Sequence, residues 1–258
     1  MGYSGLELTN KTAVVIGGTS GLGLELAKGY AQAGANVIPT GRRKELVEQA
    51  CQEVCKAGVK TLAYPCDVND RESLKGLLQA ASDNFGHVDI LVNSAGRIKR
   101  VPTLEMADQD WNDILETNLT GTLKACQVFG KHMVERKSGR IVNIASLNSF
   151  VALFEVAAYA ASKAAVASLT RSLAIEFAKY NVCVNALVPG LFRTALNANL
   201  LDGTPRGAEL KMRTPMGRFG QLNELVGAGI FLASDSASFM TGQMLVVDGG
   251  FLASGVNQ

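Results

Sequence analysis

The sequence predicts a doubly wound α/β fold, in which one parallel sheet of seven strands carries helices on both faces. Three observations lead to this prediction. Short β-branched runs alternate with longer helical patterns, several of these runs are apolar almost throughout, and a glycine-rich turn follows the first run. Alternating strands and helices indicate repeated βαβ units, whose strands lie parallel and are covered on both sides.

The seven predicted strands are spaced along the whole chain. They are TAVVIGG (12–18), NVIPT (36–40), KTLAYPC (60–66), VDILVNSAG (88–96), RIVNIAS (140–146), CVNALVPG (183–190) and QMLVVDGG (243–250). A chain of 258 residues can bury one large core, and no segment has the composition of a linker. We therefore expect a single dinucleotide-binding and catalytic domain over residues 1–258.

One region departs from this alternation. Residues 191–220 are longer than a connection from a strand to a helix needs, and they are rich in Gly, Pro, Arg and Thr. They follow the carboxyl end of a strand, which is the edge of an open α/β sheet where ligands bind. We predict that this segment is a substrate lid, and the alternative is a surface excursion without a role.

The bulk composition narrows the possible partners. Hydrophobic residues make up 47%, charged residues 19%, and the formal net charge is +2. This composition is globular and gives no strong field for nucleic acid or an anionic membrane. The first residues lack the pattern of a signal peptide, and no apolar run reaches the roughly 20 residues that span a bilayer. We expect a cytoplasmic protein with a small-molecule partner, no nucleic acid and no membrane.

The cysteines and histidines do not indicate a metal site. The cysteines are odd in number and are expected to be reduced and mostly structural. His87 and His132 lie far apart in the sequence, and neither lies in a cluster with the spacing of metal ligands. We therefore predict no catalytic metal. The five cysteines are Cys51, Cys55, Cys66, Cys126 and Cys183.

The turn after the first strand predicts a dinucleotide site. Its glycines have the spacing G-x-x-x-G-x-G, which lets the backbone turn tightly and approach a diphosphate. The following helix offers unpaired N–H groups and the positive end of its dipole. A glycine cluster can also be purely structural, but its place after the first strand favours a cofactor site. The candidate contacts are Gly17, Thr19, Ser20, Gly21, Leu22 and Gly23.

The ends of later strands extend this predicted site. No carboxylate for the ribose of NAD precedes Glu45 after the second strand, and Arg42 and Arg43 stand there instead. A guanidinium can bind a 2′-phosphate, so NADP(H) is the expected cofactor, with NAD(H) possible; alternatively, these arginines only face solvent. Further candidates are Asp67 and Val68 at the adenine, and Asn93, Ala95 and Gly96 at the fourth strand end.

The segment AAYAASKAA (157–165) places Tyr159 and Lys163 four residues apart, on one face of a predicted helix. An isolated pair of this kind is usually an ordinary helix face with its polar ends in water. The remaining motifs decide between these interpretations.

Together the motifs resemble the short-chain dehydrogenase/reductase family over about residues 11–250. GGTSGLG, NSAG, TNLTG around Asn118, IAS ending at Ser146, YAASK, VPG (188–190) and VVDGG occur in the family order. Ile16 stands where the family usually has Thr, and Ser94 where it has a second Asn, which puts only local hydrogen bonding in question. The resemblance implies a Rossmann fold and hydride transfer between a nicotinamide cofactor and a carbonyl or secondary alcohol.

The resemblance also implies roles for the candidate catalytic residues. Hydride transfer changes the substrate oxygen between carbonyl and alkoxide, so a proton must move at that oxygen. Tyr159 would be the general acid/base, and Lys163 would lower its pKa and bind the nicotinamide ribose. Ser146 would bond the substrate oxygen, and Asn118 would hold a water that links Lys163 to solvent.

Three further residues would contact the cofactor by the same resemblance. Pro189 and Gly190 would pack near the nicotinamide, and Thr194 would reach its carboxamide or the phosphates. Members of the family are commonly homotetramers or homodimers that pair the helices corresponding to about 108–136 and 156–180.

The substrate is less closely determined. Specificity is expected from residues 97–100, 148–156 and the lid, and four basic residues could form a positive rim for an anionic substrate or simply meet water. The resemblance favours sugar acids and polyols, as in gluconate 5-dehydrogenases. The alternatives are a 3-oxoacyl carrier-protein reductase that docks its acidic carrier through residues 131–140, a promiscuous ketone reductase, and a catalytically idle dinucleotide-binding sensor. The rim residues are Arg97, Lys99, Arg100 and Arg193.

Overall fold

The structure is a computed structural model that describes residues 4–194 and 197–255, apart from the side chain of Leu200. Its strands are β1 Thr12–Ile16, β2 Asn36–Thr40, β3 Ile90–Asn93, β4 Gly139–Ile144, β5 Val182–Pro189 and β6 Met244–Val247. Its α-helices are α1 Gly21–Gln32, α2 Lys44–Cys55, α3 Arg71–Phe85, α4 Asp108–Leu115, α5 Gly121–Arg136, α6 Ala157–Ala178, α7 Ala198–Leu201, α8 Pro205–Arg213 and α9 Val226–Ala233.

All six strands of the described residues form one parallel sheet in the order β2-β1-β3-β4-β5-β6. The chain moves outward from β1 to β2 and then returns to place β3 on the other side of β1. Adjacent loops therefore leave in opposite directions at the carboxyl ends of β1 and β3. This change of direction opens the crevice in which doubly wound folds bind their ligands.

The prediction of seven strands is wrong in one element, because the segment expected to be the third strand, 60–66, forms no strand. It runs beside β2, where the N–H of Val37 donates to the carbonyl of Lys60 at 3.2 Å. The next residue of β2 whose N–H would point toward this segment is Pro39, and proline has no N–H. Side-chain hydrogen bonds replace the missing backbone hydrogen bonds, and the hydroxyl of Thr61 donates to the carbonyl of Val37 at 2.6 Å. The described sheet therefore has six strands.

Helices cover both faces of the sheet, as the apolar strands predict. Every residue of β1, β4 and β5 is buried. One face packs against α1 and α9, through side chains such as Tyr30 and Leu232. The opposite face packs against α3, α5 and α6, through side chains such as Leu74 and Phe129. Strands that are buried on both faces need no alternation of polar and apolar residues, which explains their nearly continuous apolar sequence.

The long helical region between β3 and β4 is interrupted. A π-helical turn, Glu116–Thr120, separates α4 from α5, and Asn118 lies at its centre with 1% of its surface exposed. Such turns often occur at functional sites because the extra residue redirects one side chain. Here the redirected residue is one of the four candidate catalytic residues.

The segment 191–220 contains two helices in its described part. Phe192 forms an isolated parallel bridge with Gly220, so the two ends of the segment lie side by side. Helix α8 begins with Thr204, whose hydroxyl accepts the N–H of Gly207 at 2.9 Å, and has Pro205 in its first turn. The segment expected to be a lid is therefore closed at its base and carries an ordered helix. Residues 195 and 196 of this segment lie outside the described residues.

Among the helices in the described part of the chain, none is both long and apolar enough to cross a membrane.

Candidate active site

A cavity of about 560 Å³ opens at the carboxyl ends of β1, β3 and β4, along the crevice where the chain reverses direction. Residues that the sequence singled out from seven separate segments line this cavity. They are Gly17, Thr19, Ser20, Gly21, Leu22, Gly23, Arg42, Arg43, Asp67, Val68, Ala95, Gly96, Ser146, Tyr159, Lys163, Pro189, Gly190 and Thr194. The fold therefore brings the motifs together as their placement at successive strand ends predicts.

The turn after β1 has a backbone that requires glycine. Gly17 has a φ of +79°, and a β-carbon at this position would lie 2.5 Å from the backbone nitrogen of Ala95. A β-carbon on Gly23 would lie 2.2 Å from the carbonyl oxygen of Gly17. One side of the turn thus packs tightly against neighbouring backbone. At the start of α1 the turn exposes its backbone, without covering side chains, to the cavity. Such a turn fits a diphosphate, which can accept hydrogen bonds from the first N–H groups of the helix.

The adenosine end of the cavity carries positive charge. Arg42 and Arg43 are exposed and line the cavity, and neither guanidinium group has an ion-pair or hydrogen-bond partner among the described residues. No carboxylate stands between them and the end of β2. Two free guanidinium groups are suited to a phosphate, whereas NAD calls for a carboxylate on its ribose hydroxyls. The donors present therefore fit a 2′-phosphorylated dinucleotide.

Tyr159 and Ser146 meet at the other end of the cavity. Tyr159 lies in the first turn of α6, and Ser146 caps a short 3-10 helix after β4, where its hydroxyl accepts the N–H of Asn148 at 3.2 Å. Burial raises the pKa of the Tyr159 phenol, and a hydrogen bond with Ser146 offsets part of this increase. The two hydroxyls can therefore bind the same oxygen atom.

Lys163 lies one turn further along α6 and is almost entirely buried. Its ammonium donates a hydrogen bond of 2.6 Å to the carbonyl of Ile144 and lies 5.7 Å from the ring centre of Tyr159. Burial lowers the pKa of Lys163 to about 8. At neutral pH this group is still mostly charged, so it can stabilise a phenolate on Tyr159.

Asn118 lies behind the cavity wall, and it is not among the lining residues. Its side chain holds the backbone of Arg97 from both sides: its carbonyl accepts the Arg97 N–H at 2.7 Å, and its amide donates to the Arg97 carbonyl at 2.9 Å. The same amide also donates to Ser162 at 3.0 Å. A β-carbon on Gly96 would lie 3.4 Å from Asn118 Oδ1 and 3.9 Å from Lys163 Nζ. Asn118 and the ammonium of Lys163 therefore both lie close to Gly96.

Asn93 also lies away from the cavity, although it was expected among the cofactor contacts. Its side chain is buried between β3 and β4, where its amide donates to Asn143 at 2.8 Å. Asn143 in turn donates to the hydroxyl of Thr170 on α6 at 2.9 Å. This chain of hydrogen bonds ties the ends of two central strands to the helix that carries Tyr159. Asn93 thus contacts protein groups, while its neighbours Ala95 and Gly96 face the cavity.

The carboxyl end of β5 forms the remaining wall. A β-carbon on Gly190 would lie 2.5 Å from the α-carbon of Asp248, so the backbone here is tightly packed behind the cavity. Thr194 reaches the glycine turn, since its methyl group would lie 3.7 Å from a β-carbon on Gly21. This position is closer to a diphosphate site than to the far end of the cavity. Of the two contacts expected for Thr194, with the nicotinamide carboxamide or with the phosphates, it favours the phosphates.

Several lining residues were not anticipated. They are neighbours of the recognised motifs in sequence and have no chemical signature of their own, so only their position at a strand end could have indicated them. They are Ile16, Gly41, Cys66, Asn69, Ser94, Thr117, Ile144 and Ala145. Four other lining residues lie in regions that were expected around the site: Arg97 and Ile98 in 97–100, and Phe192 and Asn197 in the expected lid.

A second and larger cavity, of about 1330 Å³, lies next to the first along α6. It is bounded by residues 151–157, by α8 and the residues that follow it, and by residues 251–255. Ala160, the neighbour of Tyr159, lines it. This position beside the Tyr159 end of the first cavity suits a substrate. Its walls include parts of two regions from which the sequence predicted specificity, 148–156 and the expected lid, whereas Arg97 and Ile98 of the third region line the first cavity.

The expected positive rim is largely neutralised by acidic partners. Arg97 pairs with Asp113 at 2.8 Å, and Lys99 pairs with Asp110 at 2.5 Å. The remaining two pairs are Arg100 with Glu155 at 2.5 Å and Arg193 with Asp202 at 2.6 Å. These four residues therefore add little net charge to the cavity.

The thiols and other possible metal ligands are dispersed. The five cysteines are all free, and burial raises the pKa of Cys126 to about 12 and that of Cys66 to about 11. Over the described ranges of the chain, no group of three or more His, Cys, Asp or Glu side chains could hold a metal ion.

A dinucleotide-binding turn that leads to a Ser, Tyr and Lys cluster defines a nicotinamide-dependent oxidoreductase. A family model described as enoyl-(acyl carrier protein) reductase matches residues 17–252. With this match and the full-length relatives below, the chain belongs to the short-chain dehydrogenase/reductase family.

The relatives are similar over almost the whole chain. A gluconate 5-dehydrogenase of Gluconobacter oxydans is 38% identical over 248 residues, which cover 96% of this chain and 97% of that protein. A D-threitol dehydrogenase of Mycolicibacterium smegmatis is 39% identical and covers 95% and 94% of the two chains. The crystal structure of a gluconate 5-dehydrogenase from Burkholderia cenocepacia, in complex with NADP and tartrate, has a TM-score of 0.94 and 36% identity, and covers 97% and 98%.

Proposed function

We propose that the protein is an NADP(H)-dependent oxidoreductase that interconverts a hydroxyl and a ketone at C5 of a six-carbon sugar acid. The observation that carries this proposal is the cluster of Ser146, Tyr159 and Lys163 at one end of a cavity whose other end holds two unpaired arginines. The relatives that act at C5 of gluconate support the substrate, and the structural relative with bound NADP supports the cofactor.

The chain's own residues would hold the cofactor along the first cavity. Arg42 and Arg43 would bind the 2′-phosphate, the glycine turn would bind the diphosphate with Thr194 beside it, and Asp67 would bind the adenine edge. Pro189 and Gly190 would pack at the nicotinamide end. Once bound, the nicotinamide supplies the site with a hydride donor or acceptor.

The proton at the substrate oxygen would be carried by Tyr159. In the direction of reduction its hydroxyl donates the proton, and in the direction of oxidation its phenolate accepts it. Ser146 would donate a second hydrogen bond to the same oxygen and steady the charge that develops there. Lys163 would stabilise the phenolate, and Asn118 would hold the water through which Lys163 exchanges protons with solvent.

Three wider proposals accompany this function. Residues 191–220 act as a lid on a single domain, because they follow β5 and carry the helix that bounds the larger cavity. The protein works in the cytoplasm, which agrees with five free thiols. It assembles as a homotetramer or homodimer through α4, α5 and α6, an arrangement that would cover Ile175, which is 81% exposed. Light scattering that gives only a 27.2 kDa species would contradict the assembly.

The experiment that tests the function follows the absorbance of the reduced nicotinamide with NADP⁺ and NAD⁺ in parallel. The substrates are D-gluconate, related sugar acids, D-threitol and simple alcohols, and the reverse assays use 5-keto-D-gluconate and a 3-oxoacyl thioester. We expect the highest kcat/KM with a sugar acid and NADP⁺. Turnover of the thioester alone would assign the protein to acyl-chain reduction.

A neutral polyol is the second candidate substrate. The pairing of all four expected rim cations favours it, and a D-threitol dehydrogenase is among the relatives. The carrier-protein alternative has weaker support. Its expected docking segment, 131–140, has Lys131 paired with Glu135 at 3.9 Å and Arg136 paired with Asp89 at 3.2 Å. If Tyr159→Phe kept the protein's biological effect while cofactor still bound, a sensor without catalysis would be favoured.

A further inference from the structure

The two walls of the larger cavity are joined by one side chain of α8. Arg206 is half-buried, and its Nη1 donates a hydrogen bond of 3.0 Å to the backbone carbonyl of Phe154. Phe154 belongs to the opposite wall and lies five residues before Tyr159 in the sequence. The guanidinium is thus held at the wall of the cavity, next to the segment that leads into α6.

Arg206 differs from the other cations of this cavity in its partners. Arg213, on the same helix, pairs with Glu209 at 3.0 Å. Lys211 is exposed, and its ammonium lies 5.0 Å from the ring centre of Phe219. Arg206 has no carboxylate within ion-pair distance among the described residues, and its one hydrogen bond there is to a neutral carbonyl.

The surroundings of Arg206 leave its charge only partly compensated. Burial and the nearby charge of Arg100 lower the pKa of the guanidinium, while Glu155 and Glu209 act in the opposite direction. Glu155 is already engaged by Arg100 at 2.5 Å, and Glu209 by Arg213. Each acidic neighbour therefore has a closer cation, and an additional anion in the cavity would be attracted to Arg206.

We propose that Arg206 binds the carboxylate of the sugar-acid substrate and is the residue that determines the preference for acids over neutral polyols. This inference rests on the proposed function. With Nη1 bound to Phe154, Nε and Nη2 remain available for the two-pronged contact that a guanidinium makes with a carboxylate. The carboxylate is at one end of the carbon chain and C5 is near the other, so the proposal places the carboxylate at Arg206 and C5 at Tyr159.

The test compares D-gluconate with D-gluconamide, in which a neutral amide replaces the carboxylate without changing the rest of the molecule. Steady-state kinetics with saturating NADP⁺ are measured for the wild type, Arg206→Met and Arg206→Lys. Arg213→Met is the matched control, because Arg213 lies on the same helix and lines the same cavity but already has a carboxylate partner.

We expect Arg206→Met to raise KM for gluconate about 10- to 100-fold, which is the loss of one charge-assisted contact. KM for gluconamide and kcat for both should change less than about threefold, and Arg206→Lys should recover part of the affinity for gluconate. Arg213→Met should leave the ratio of the two KM values within about twofold of wild type.

Equal increases of KM for gluconate and gluconamide in Arg206→Met would overturn the inference, because they would mean that Arg206 only ties α8 to the opposite wall. Equal effects of Arg206→Met and Arg213→Met would overturn it as well. A wild type that oxidises gluconate, combined with an unchanged KM in Arg206→Met, would reject Arg206 and leave the proposed function standing. A wild type inactive on every sugar acid would reject both.

Discussion

The two cavities of this protein use charge in different ways. The cofactor cavity is built from strand ends and a glycine turn; the guanidinium groups of Arg42 and Arg43 face it without partners, while Arg97 pairs with Asp113. The larger cavity, proposed for the substrate, is built from a loop, a helix and the chain's last described residues, and of its three cations Arg213 pairs with Glu209, Lys211 lies over a phenylalanine ring and Arg206 bonds a neutral carbonyl. On the account proposed above, selectivity for the cofactor would come from Arg42 and Arg43, and selectivity for the substrate from Arg206, whose acidic neighbours each pair with another cation.

The largest effect is expected where the two cavities meet. Tyr159→Phe removes the only proposed proton carrier, so kcat should fall about 10²- to 10⁴-fold. The affinity for NADPH, measured by fluorescence titration, should stay within about threefold of wild type, since the ring is retained. Tyr180→Phe, just beyond the end of the same helix, is the control and should keep full activity. A kcat within tenfold of wild type for Tyr159→Phe would contradict the assignment.

The next effect concerns the cofactor cavity alone. Arg42→Ala should raise KM for NADP⁺ about 10- to 100-fold, because it removes a charged contact to the 2′-phosphate, and it should leave KM for NAD⁺ within about threefold. Lys44→Ala is the matched control, because Lys44 is the first cation after the two arginines in the sequence and pairs with Glu48. Equal losses for both cofactors would show that the arginines do not distinguish them.

Lys163 provides a prediction about stability. Burial lowers the folded-state pKa of Lys163 to about 8, so the unfolded chain binds the proton more tightly. The charged form therefore costs stability below about pH 8, and this cost disappears as the pH rises toward the unfolded value. Lys163→Met should abolish turnover and raise Tm by about 2–6 °C near pH 7, with a smaller gain near pH 10.

Calorimetry at the two pH values checks this prediction, and Lys179→Met is a control, since Lys179 lies just beyond the end of the same helix. A lower Tm for Lys163→Met at both pH values would mean that the hydrogen bond to the Ile144 carbonyl outweighs the cost of burying the ammonium.

The smallest effect lies at the opposite edge of the sheet from both cavities. The N–H of Val88 donates to Nε2 of His132 at 3.2 Å, which requires a neutral imidazole. Burial, Arg136 and His87 lower the pKa of His132, against smaller opposite effects of Glu135 and Asp89. Stability from this contact is therefore present above about pH 6.5 and is lost as the pH falls below it.

His132→Gln keeps an acceptor that does not titrate. Its Tm should fall less than that of the wild type between about pH 7 and pH 5, by about 1–3 °C. An identical pH dependence of the two proteins would contradict this role of His132.

The cofactor half of the molecule could be predicted from sequence because its backbone demands particular residues. A φ of +79° at Gly17 and the close approach of Gly23 to its carbonyl admit only glycine, so the turn is visible as a spacing. The third strand could not be predicted from its apolar pattern. The segment forms no strand because Pro39 in the neighbouring strand β2 lacks an N–H donor, and nothing in the sequence of the segment itself indicates this.

The substrate half could not be predicted to the same depth. Arg100 and Glu155 are 55 residues apart in the sequence, and nothing local indicates that they meet. The same holds for Arg206, because nothing local indicates that its acidic neighbours Glu155 and Glu209 each pair with another cation. The π-helical turn around Asn118 also has no local sequence signature. The motif identified Asn118 as a candidate but did not predict the turn that orients its side chain.

The most direct test of the central claim uses D-gluconate that carries deuterium at C5. The protein is incubated with this substrate and NADP⁺, and the reduced cofactor and the product are analysed by mass spectrometry. The account predicts one deuterium in each NADPH formed and an unlabelled 5-keto acid, and it predicts no labelled NADPH with Tyr159→Phe over the same time. NADPH without deuterium, or a keto acid that retains it, would contradict oxidation at C5.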